Sequence, residues 1–236
     1  MKEKKGRKIL IGIFIGLGVG LVTAFGIIVV FIIYFFTGGP VQRNKNVDKY
    51  AETMHKYRFE VVGKVQTGLF AFPETIPESA FENGSEPVFF FSYKDTWDDP
   101  TCEVYLECKY SDADYQMELE RLKNDELVLE DHVGNKMIHK LEYEESKRFI
   151  RPVYKAIDCY NHAYEYAMDL GNNEIAYIYT SFKSNPMSLK KVPKDYLPDD
   201  YTETLLKNTY ENGGYNIYIT ERTDELTAFD YGNKFE

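Results

Sequence analysis

The run Ile9–Phe36, ILIGIFIGLGVGLVTAFGIIVVFIIYFF, contains 28 residues and no charge. A helix that crosses the roughly 30 Å hydrocarbon core of a bilayer needs about 20 such residues. At about 1.5 Å per residue this run reaches about 42 Å, which allows a tilted span or an extension into the headgroups. The run predicts a transmembrane helix over 9–36, and the rest of the chain is organised around it.

The charges on either side of this run are unequal. The positive-inside rule predicts that the basic tail at 1–8 is cytoplasmic and that the chain beyond the anchor is outside the cytoplasm. Residues 37–46 are short, polar and contain Gly and Pro, which predicts a linker. A cleaved signal peptide is the competing interpretation, but its apolar core is about 7–15 residues long and ends at small residues. The exit here is the bulky Tyr34-Phe35-Phe36, which favours an uncleaved anchor in the plasma membrane. The basic residues are Lys2, Lys4, Lys5, Arg7 and Lys8 before the run, and Arg43 and Lys45 after it.

Three glycines in the run are spaced four residues apart: Gly12, Gly16 and Gly20. Glycines on one helix face allow close backbone approach, which favours helix–helix packing in lipid. The alternative is that glycine is simply frequent in membrane helices. We therefore expect self-association or a membrane-protein partner as one role of this helix.

The charge balance changes sharply beyond the linker. The chain has 28 basic and 38 acidic residues, and the first 45 residues hold seven basic residues and one acid. The remainder therefore has 21 basic and 37 acidic residues, a net charge of −16. So acidic a domain is not expected to attract nucleic acid or the anionic face of a membrane. About 190 residues suffice for one domain, and we expect 47–236 to be an acidic extracytoplasmic α+β domain.

The periodicity of apolar residues predicts a mostly antiparallel sheet with a few helices on one face. Ser111 resembles a helix N-cap, followed by Tyr115, Leu119 and Leu122 at helical spacing. The predicted helices are 47–57, 111–124 and 201–210, and the long loops are 73–87 and 185–200. The predicted strands are 61–72, 88–93, 102–110, 152–160, a hairpin over 127–142, a hairpin of 163–168 with 174–182 around 171–173, and 215–220 as the end of the sheet.

The cysteines and tyrosines are interpreted first as core residues. On a strand, Cys102 and Cys108 share one face but lie about 20 Å apart, too far for a disulfide. At most one of them pairs with Cys159, and the alternative is three buried thiols. Cys159 with His162 is a weak nucleophile–base pair, and Ser188-Leu-Lys190-Lys191 is an isolated S-x-x-K string. Alternating tyrosines on the second hairpin form an aromatic stripe if the register aligns them: Tyr164, Tyr166, Tyr177 and Tyr179.

The segment Asp95-Thr-Trp97-Asp98-Asp99-Pro100 is the ligand-binding candidate in the sequence. It places the one tryptophan beside three carboxylates in a turn between two strands. Carboxylate oxygens are typical cation ligands, and the indole ring can stack on a sugar or peptide. Asp-Pro is also ordinary turn chemistry, so a purely structural turn is the alternative. No residues form a catalytic set, and no spacing implies a metal or a cofactor.

The layout of a basic start, one anchor and a tyrosine-rich acidic domain resembles uncharacterised single-pass proteins of Gram-positive gut bacteria. The segments FSYKDTWDDPTCEVY, beginning at Phe91, and NHAYEYA, beginning at Asn161, are similar to segments of those proteins. The resemblance implies a bacterial cell surface and no activity.

Three functions follow as hypotheses. The first is a membrane-anchored extracytoplasmic domain that binds or scaffolds without catalysis. The second is a cell-envelope hydrolase with paired carboxylates, which glycosidases hold about 5–10 Å apart across a cleft. The third is a sensor or assembly partner that acts through the glycine face of the transmembrane helix.

Overall fold

The computed structural model describes residues 2–37, 39–57, 69–82, 86–94, 101–130, 136–160, 163–181, 189–201 and 219–222. It confirms the predicted α+β class: an N-terminal apolar helix, then a seven-stranded antiparallel sheet with a few helices. The helix and the sheet domain form two separate compact units, which divide at Pro40.

The N-terminal helix is α1, Lys2–Thr37, so the basic residues before the apolar run continue the same helix. Within it, Gly16–Tyr34 is a 19-residue segment with a mean hydropathy of 2.6, and none of it is buried. In the part of the chain that the structure describes, this is the one helix long and apolar enough to cross a membrane.

The sheet domain contains three α-helices, two short 3-10 helices and ten strands among its described residues. In the large sheet the order is β1-β2-β3-β9-β8-β7-β6, and a small sheet has the order β10-β5-β4. The helices are α2 (Tyr50–Tyr57), α3 (Ser79–Glu82) and α4 (Asp112–Asn124). The strands are β1 (Gln42–Asn44), β2 (Val88–Lys94), β3 (Thr101–Lys109), β4 (Glu126–Glu130), β5 (Lys136–Lys140), β6 (Glu142–Glu144), β7 (Val153–Tyr160), β8 (Ala163–Gly171), β9 (Glu174–Ser181) and β10 (Ile219–Arg222).

Both faces of the large sheet are covered. On the helical face, which includes Val104, Leu106 and Tyr177, the sheet packs against α2, α3, α4 and the segment 69–73. The opposite face, which we call the loop face, includes Tyr105 and Tyr166 and packs against Phe149 and the segment 189–201. Because each central strand is buried on both sides, β8 and β9 lack the alternation of a half-exposed strand.

Local sequence signals explain two well-defined elements. Ser111 caps α4, because its hydroxyl accepts a hydrogen bond from the Asp114 amide at 3.1 Å. The β8–β9 hairpin turns at Asn172 and Asn173, whose φ values of 53° and 66° are those of a left-handed two-residue turn. Both features agree with the sequence predictions for the helix and the hairpin.

Three predictions about the elements are wrong. Residues 69–72 form a bend rather than the end of a strand, because Leu69 has a φ of 64° and charged side chains satisfy the backbone of Ala71. The predicted loop 73–87 contains the one-turn helix α3, which forms where Ala80 is buried. The strand predicted at 215–220 as the end of the sheet is instead β10, Ile219–Arg222, which pairs with β5 in the small sheet. The predicted helix 201–210 lies outside the described residues beyond Tyr201.

Candidate functional site

The predicted ligand-binding residues Asp95, Trp97, Asp98 and Asp99 lie outside the described residues. The strands that carry this loop are described, and its base is the pair Lys94 and Thr101 at the ends of β2 and β3. The prediction that residues 95–99 bind a ligand therefore stays a prediction.

The three predicted packing glycines, Gly12, Gly16 and Gly20, lie within α1. A Cβ atom added at Gly16 or Gly20 would meet no atom within 4 Å among the described residues. The space beside these two positions is therefore open to another helix, and the packing role stays a prediction.

The four hairpin tyrosines do not form one stripe. Tyr164 and Tyr166 lie on the loop face, whereas Tyr177 and Tyr179 lie on the helical face. The register explains this separation, because Tyr166 pairs with Ile178 and Tyr177 pairs with Ala167. All four side chains are buried, so they are core residues and no aromatic binding face exists here.

All three cysteines are buried. Burial raises the pKa of the Cys102 thiol well above its usual value and raises the pKa of Cys108 to about 12. Buried thiols with raised pKa values are poor nucleophiles. His162 and Ser188, the partners proposed for Cys159 and Lys191, lie outside the described residues.

The described part of the sheet domain has a concavity of about 130 Å³ at the end of the large sheet where β1, β2 and β3 meet. Ser92 pairs with Glu103 across β2 and β3, and Arg43 pairs with Ser92 across β1 and β2. Because paired residues share a face, these side chains belong to one surface, the loop face. The lining residues are Val41, Arg43, Ser92, Lys94, Thr101, Cys102, Glu103 and Lys190.

The concavity is positively charged although the domain is acidic. Arg43, Lys94 and Lys190 contribute three positive charges, and Glu103 contributes one negative charge. Among the described residues, none of the three cations makes an ion pair, unlike Arg121 with Glu118 or other cations of the domain. The hydroxyls of Ser92 and Thr101 add neutral donors to the same lining.

Glu103 connects this concavity to the segment that covers the loop face. Its carboxylate accepts hydrogen bonds from the backbone amides of Lys190 at 2.8 Å, Lys191 at 2.6 Å and Val192 at 3.1 Å. Successive amides that converge on one carboxylate form an anion-binding nest. These hydrogen bonds hold the backbone of Lys190 at the edge of the concavity. They also provide donors for Glu103, which is the one carboxylate in the lining.

A second group of charges lies elsewhere on the loop face. Arg148 donates two hydrogen bonds to Asp158 at 2.6 and 2.7 Å, and Lys155 lies 3.2 Å from the same carboxylate. Burial alone would raise the pKa of Asp158, but the hydrogen bonds and charge of Arg148, with Lys155, outweigh burial and lower it. Lys155 also pairs with Glu144, so this group is internally compensated and offers no open charge to a ligand.

The described residues contain no group of three or more His, Cys, Asp or Glu side chains placed to hold a metal. No known protein family matches the chain, and neither a curated protein nor a solved structure is significantly similar to it. Among the residues that the structure describes, the basic concavity is therefore the strongest candidate for a site.

Sequence reasoning missed this concavity because its residues come from three regions that are distant in sequence: β1, the β2–β3 pair and the segment 189–201. Arg43, Lys94, Thr101 and Lys190 become neighbours only through the pairing of β1, β2 and β3 and the Glu103 nest. The sequence feature that could have indicated it is Glu103 within TCEVYLEC. This charged residue lies two positions before the buried Tyr105 and therefore on the same face of the strand. A buried acid in a strand needs donors, which indicates a backbone segment close to it.

Proposed function

We propose that this chain is a single-pass membrane protein that holds an acidic sheet domain outside the cytoplasm, where the domain binds a ligand or partner without catalysing a reaction. The observation that carries the anchoring is the exposure of the apolar residues of α1. Leu21 is 71% exposed and Val22 is 74% exposed. Such a surface is unfavourable in water at roughly 25 cal/mol per Å² and is stable in lipid.

The charge distribution supports the orientation. The basic residues at the start of α1 favour the cytoplasmic side, and the domain beyond Pro40 contains most of the acidic residues. The resemblance to single-pass proteins of Gram-positive bacteria is consistent with a cell surface location in such an organism.

Binding is favoured over catalysis by how the buried polar groups are used. Glu165 accepts backbone amides, Glu118 is hydrogen-bonded to Arg121 and Tyr177, and Asp158 is held by Arg148. Each group already has its partners in the folded chain. A catalytic acid or base needs a geometry in which it reaches a substrate.

The envelope hydrolase is the weaker candidate. A glycosidase requires two carboxyl groups across a cleft, one of them with a raised pKa. In the described part of the domain, a single carboxylate, that of Glu103, lines the concavity, and it already accepts hydrogen bonds from three backbone amides.

The glycine-mediated sensor or assembly role rests on the open space beside Gly16 and Gly20. Replacement of Gly16 by Ile should weaken helix association in a membrane if that role holds.

The test of the anchoring is an insertion and topology experiment on the full chain. We expect a tag on the N-terminus to remain attached to the mature protein, and the protein to resist alkaline extraction from membranes. Protease added to spheroplasts should digest the sheet domain and spare the tag. Loss of the tag from the mature protein would instead identify a cleaved signal peptide.

The matched control is a variant in which Lys4, Lys5, Arg7 and Lys8 are changed to Gln. The apolar segment is unchanged, so membrane insertion should persist. Because the charge bias is removed, a fraction of the molecules should insert with the domain inside and become protected from protease. If the wild-type domain is itself protected, the proposed orientation is wrong.

A further inference from the structure

We propose that the concavity at the β1–β2–β3 end of the sheet binds a phosphate-type oxyanion, with Arg43, Lys94 and Lys190 as its ligands. This inference rests on the proposed function, because it names the ligand class of the proposed binding domain. The source of the anion is either free phosphate or the headgroups of anionic lipids, and separate measurements with phosphate and with anionic lipid distinguish the two.

The lining has the donors that an oxyanion requires. Arg43 supplies a planar guanidinium that can donate two parallel hydrogen bonds to phosphate oxygens. Lys94 and Lys190 supply two ammonium groups, and Ser92 and Thr101 supply two hydroxyls. Three positive charges against one negative charge leave a net charge of +2 within a domain whose overall charge is strongly negative.

The positions of these side chains are fixed by the sheet. Ser92 lies between its partners Arg43 on β1 and Glu103 on β3, and Lys94 pairs with Thr101 at the next position on the same face. Lys190 is held at its backbone by Glu103, at 2.8 Å. The three cations therefore come from two neighbouring strands, β1 and β2, and from the covering segment, and all three line the same concavity.

The single acid of the lining does not cancel the site. Three backbone amides solvate the Glu103 carboxylate, and their dipoles oppose its negative charge. The side chain of Lys190 is exposed, whereas Glu103 is 2% exposed, so the acid is withdrawn from the surface that a ligand would approach.

The size of the concavity limits the ligand. A volume of about 130 Å³ is well below the roughly 300–1,000 Å³ of pockets that enclose drug-sized molecules. It has room for several water molecules, each with a share of about 30 Å³ in the liquid. This favours a single charged group, such as one phosphate, over an extended chain of sugars or a folded peptide.

The first arm of the test measures phosphate binding. The full chain in phosphatidylcholine nanodiscs is titrated with inorganic phosphate by calorimetry, in Tris chloride so that the buffer carries no competing oxyanion. We expect Lys94→Gln to weaken binding about tenfold, the size expected for one lost charge-assisted hydrogen bond. Lys190→Gln is the second variant, since its exposed side chain is outside the sheet and its loss does not threaten folding.

The control is Lys109→Gln. Lys109 is an exposed residue at the opposite end of β3, so its replacement changes the net charge of the chain by the same amount and leaves the concavity intact. Phosphate affinity in this variant should equal that of the wild-type chain. Binding by the wild type should also weaken with added sodium chloride, because salt screens exposed charges.

The second arm examines lipid headgroups. Part of the phosphatidylcholine is replaced by anionic phosphatidylglycerol, without added phosphate, and the thermal unfolding of the domain is followed. If headgroups occupy the site, phosphatidylglycerol raises the unfolding temperature of the wild type and of Lys109→Gln but not of Lys94→Gln. A positive first arm identifies a free anion, and a positive second arm alone identifies the headgroup.

The proposal is overturned if neither arm distinguishes Lys94→Gln from Lys109→Gln. Failure of the anchoring proposal gives a different result. If the N-terminal tag were lost, or if the domain were protected from protease, phosphate binding by the domain would be unchanged.

Discussion

Two buried glutamates hold irregular segments against opposite faces of the same sheet. On the helical face, Glu165 of β8 accepts the amides of Leu69 at 2.8 Å and Ala71 at 2.6 Å. On the loop face, Glu103 of β3 accepts the amides of three successive residues beginning at Lys190. In both cases a carboxylate replaces the backbone partner that a strand would have provided.

The two segments differ in where their side chains go. Leu69, Ala71 and Phe72 are completely buried, so the segment at Glu165 belongs to the core. Lys190 and Lys191 are exposed, so the segment at Glu103 lies at the surface and carries charge to the rim of a concavity. The same hydrogen-bonding arrangement thus closes the core in one place and positions a candidate ligand-binding group in the other.

The segment at Glu165 is also held from its other side. Arg121 of α4 donates a hydrogen bond to the carbonyl oxygen of Ala71 at 2.8 Å while it pairs with Glu118. The left-handed φ of 64° at Leu69 costs a branched residue roughly 1–2 kcal/mol. Charged partners on both backbone groups of Ala71 are what hold the chain in this conformation.

The largest effect is expected from Glu165→Ala. It leaves two buried amides without an acceptor, at about 1–3 kcal/mol each, so the free energy of unfolding should fall by about 4 kcal/mol. The measurement is denaturant unfolding of the full chain in detergent, followed by near-ultraviolet circular dichroism of the tyrosines. Glu120→Ala, an exposed change on α4, should shift the free energy by less than about 0.5 kcal/mol. Equal effects in the two variants would contradict a structural role for Glu165.

A smaller effect is expected from Asp158→Asn, where cationic side chains rather than amides satisfy the carboxylate. Removal of its charge leaves Arg148 and the buried Lys155 partly uncompensated, although Glu144 and Asp200 remain. We expect a loss of about 3 kcal/mol at pH 7, the lower end of the cost of breaking a buried pair.

The ion pair of Asp158 with Arg148 also makes the stability of the domain depend on pH in the acid range. The pKa of Asp158 is lower in the folded chain than in the unfolded chain, and that of Glu144 is lowered as well, because Lys155 and Ser146 outweigh burial. Their contribution to stability is present above the unfolded pKa of about 4 and is lost as the pH falls through the folded value. Urea midpoints between neutral pH and acid should therefore fall more steeply for the wild type than for Asp158→Asn. Parallel curves would rule out this contribution.

The sequence predicts those parts of the fold that depend on neighbouring residues. Ser111 and the apolar spacing after it predict α4, and the Gly171–Asn173 turn predicts the β8–β9 hairpin. It fails at 69–72, where four apolar residues resemble a strand but their backbone partners are Glu165 and Arg121, far along the chain. The sequence also leaves open whether the four hairpin tyrosines share a face, since that depends on a register that only the pairing of strands determines.

The candidate site could not be predicted from spacing, for a related reason. The sequence directs attention to the loop 95–99, where the chemistry is concentrated in adjacent residues. The concavity at the base of that loop depends on cations at positions 43, 94 and 190, each of which is unremarkable in its own segment. Strand pairing and one buried carboxylate bring them together, and neither leaves a local motif.

The smallest of these effects is expected from Glu103→Ala, and it decides whether the two glutamates differ as proposed. Three amides lose their acceptor, but two of them belong to exposed residues, so water can replace the carboxylate. We expect a loss of about 2 kcal/mol, about half the cost of Glu165→Ala. Hydrogen exchange should show where the change occurs: the amides of 190–192 should exchange faster in Glu103→Ala, while those of Leu69 and Ala71 keep wild-type protection. In Glu165→Ala the pattern should reverse or extend to the whole domain, because that segment belongs to the core. If both variants lost equal stability and exchanged globally, the segment at Glu103 would be core as well, and the rim it provides for Lys190 would not be a separately formed surface.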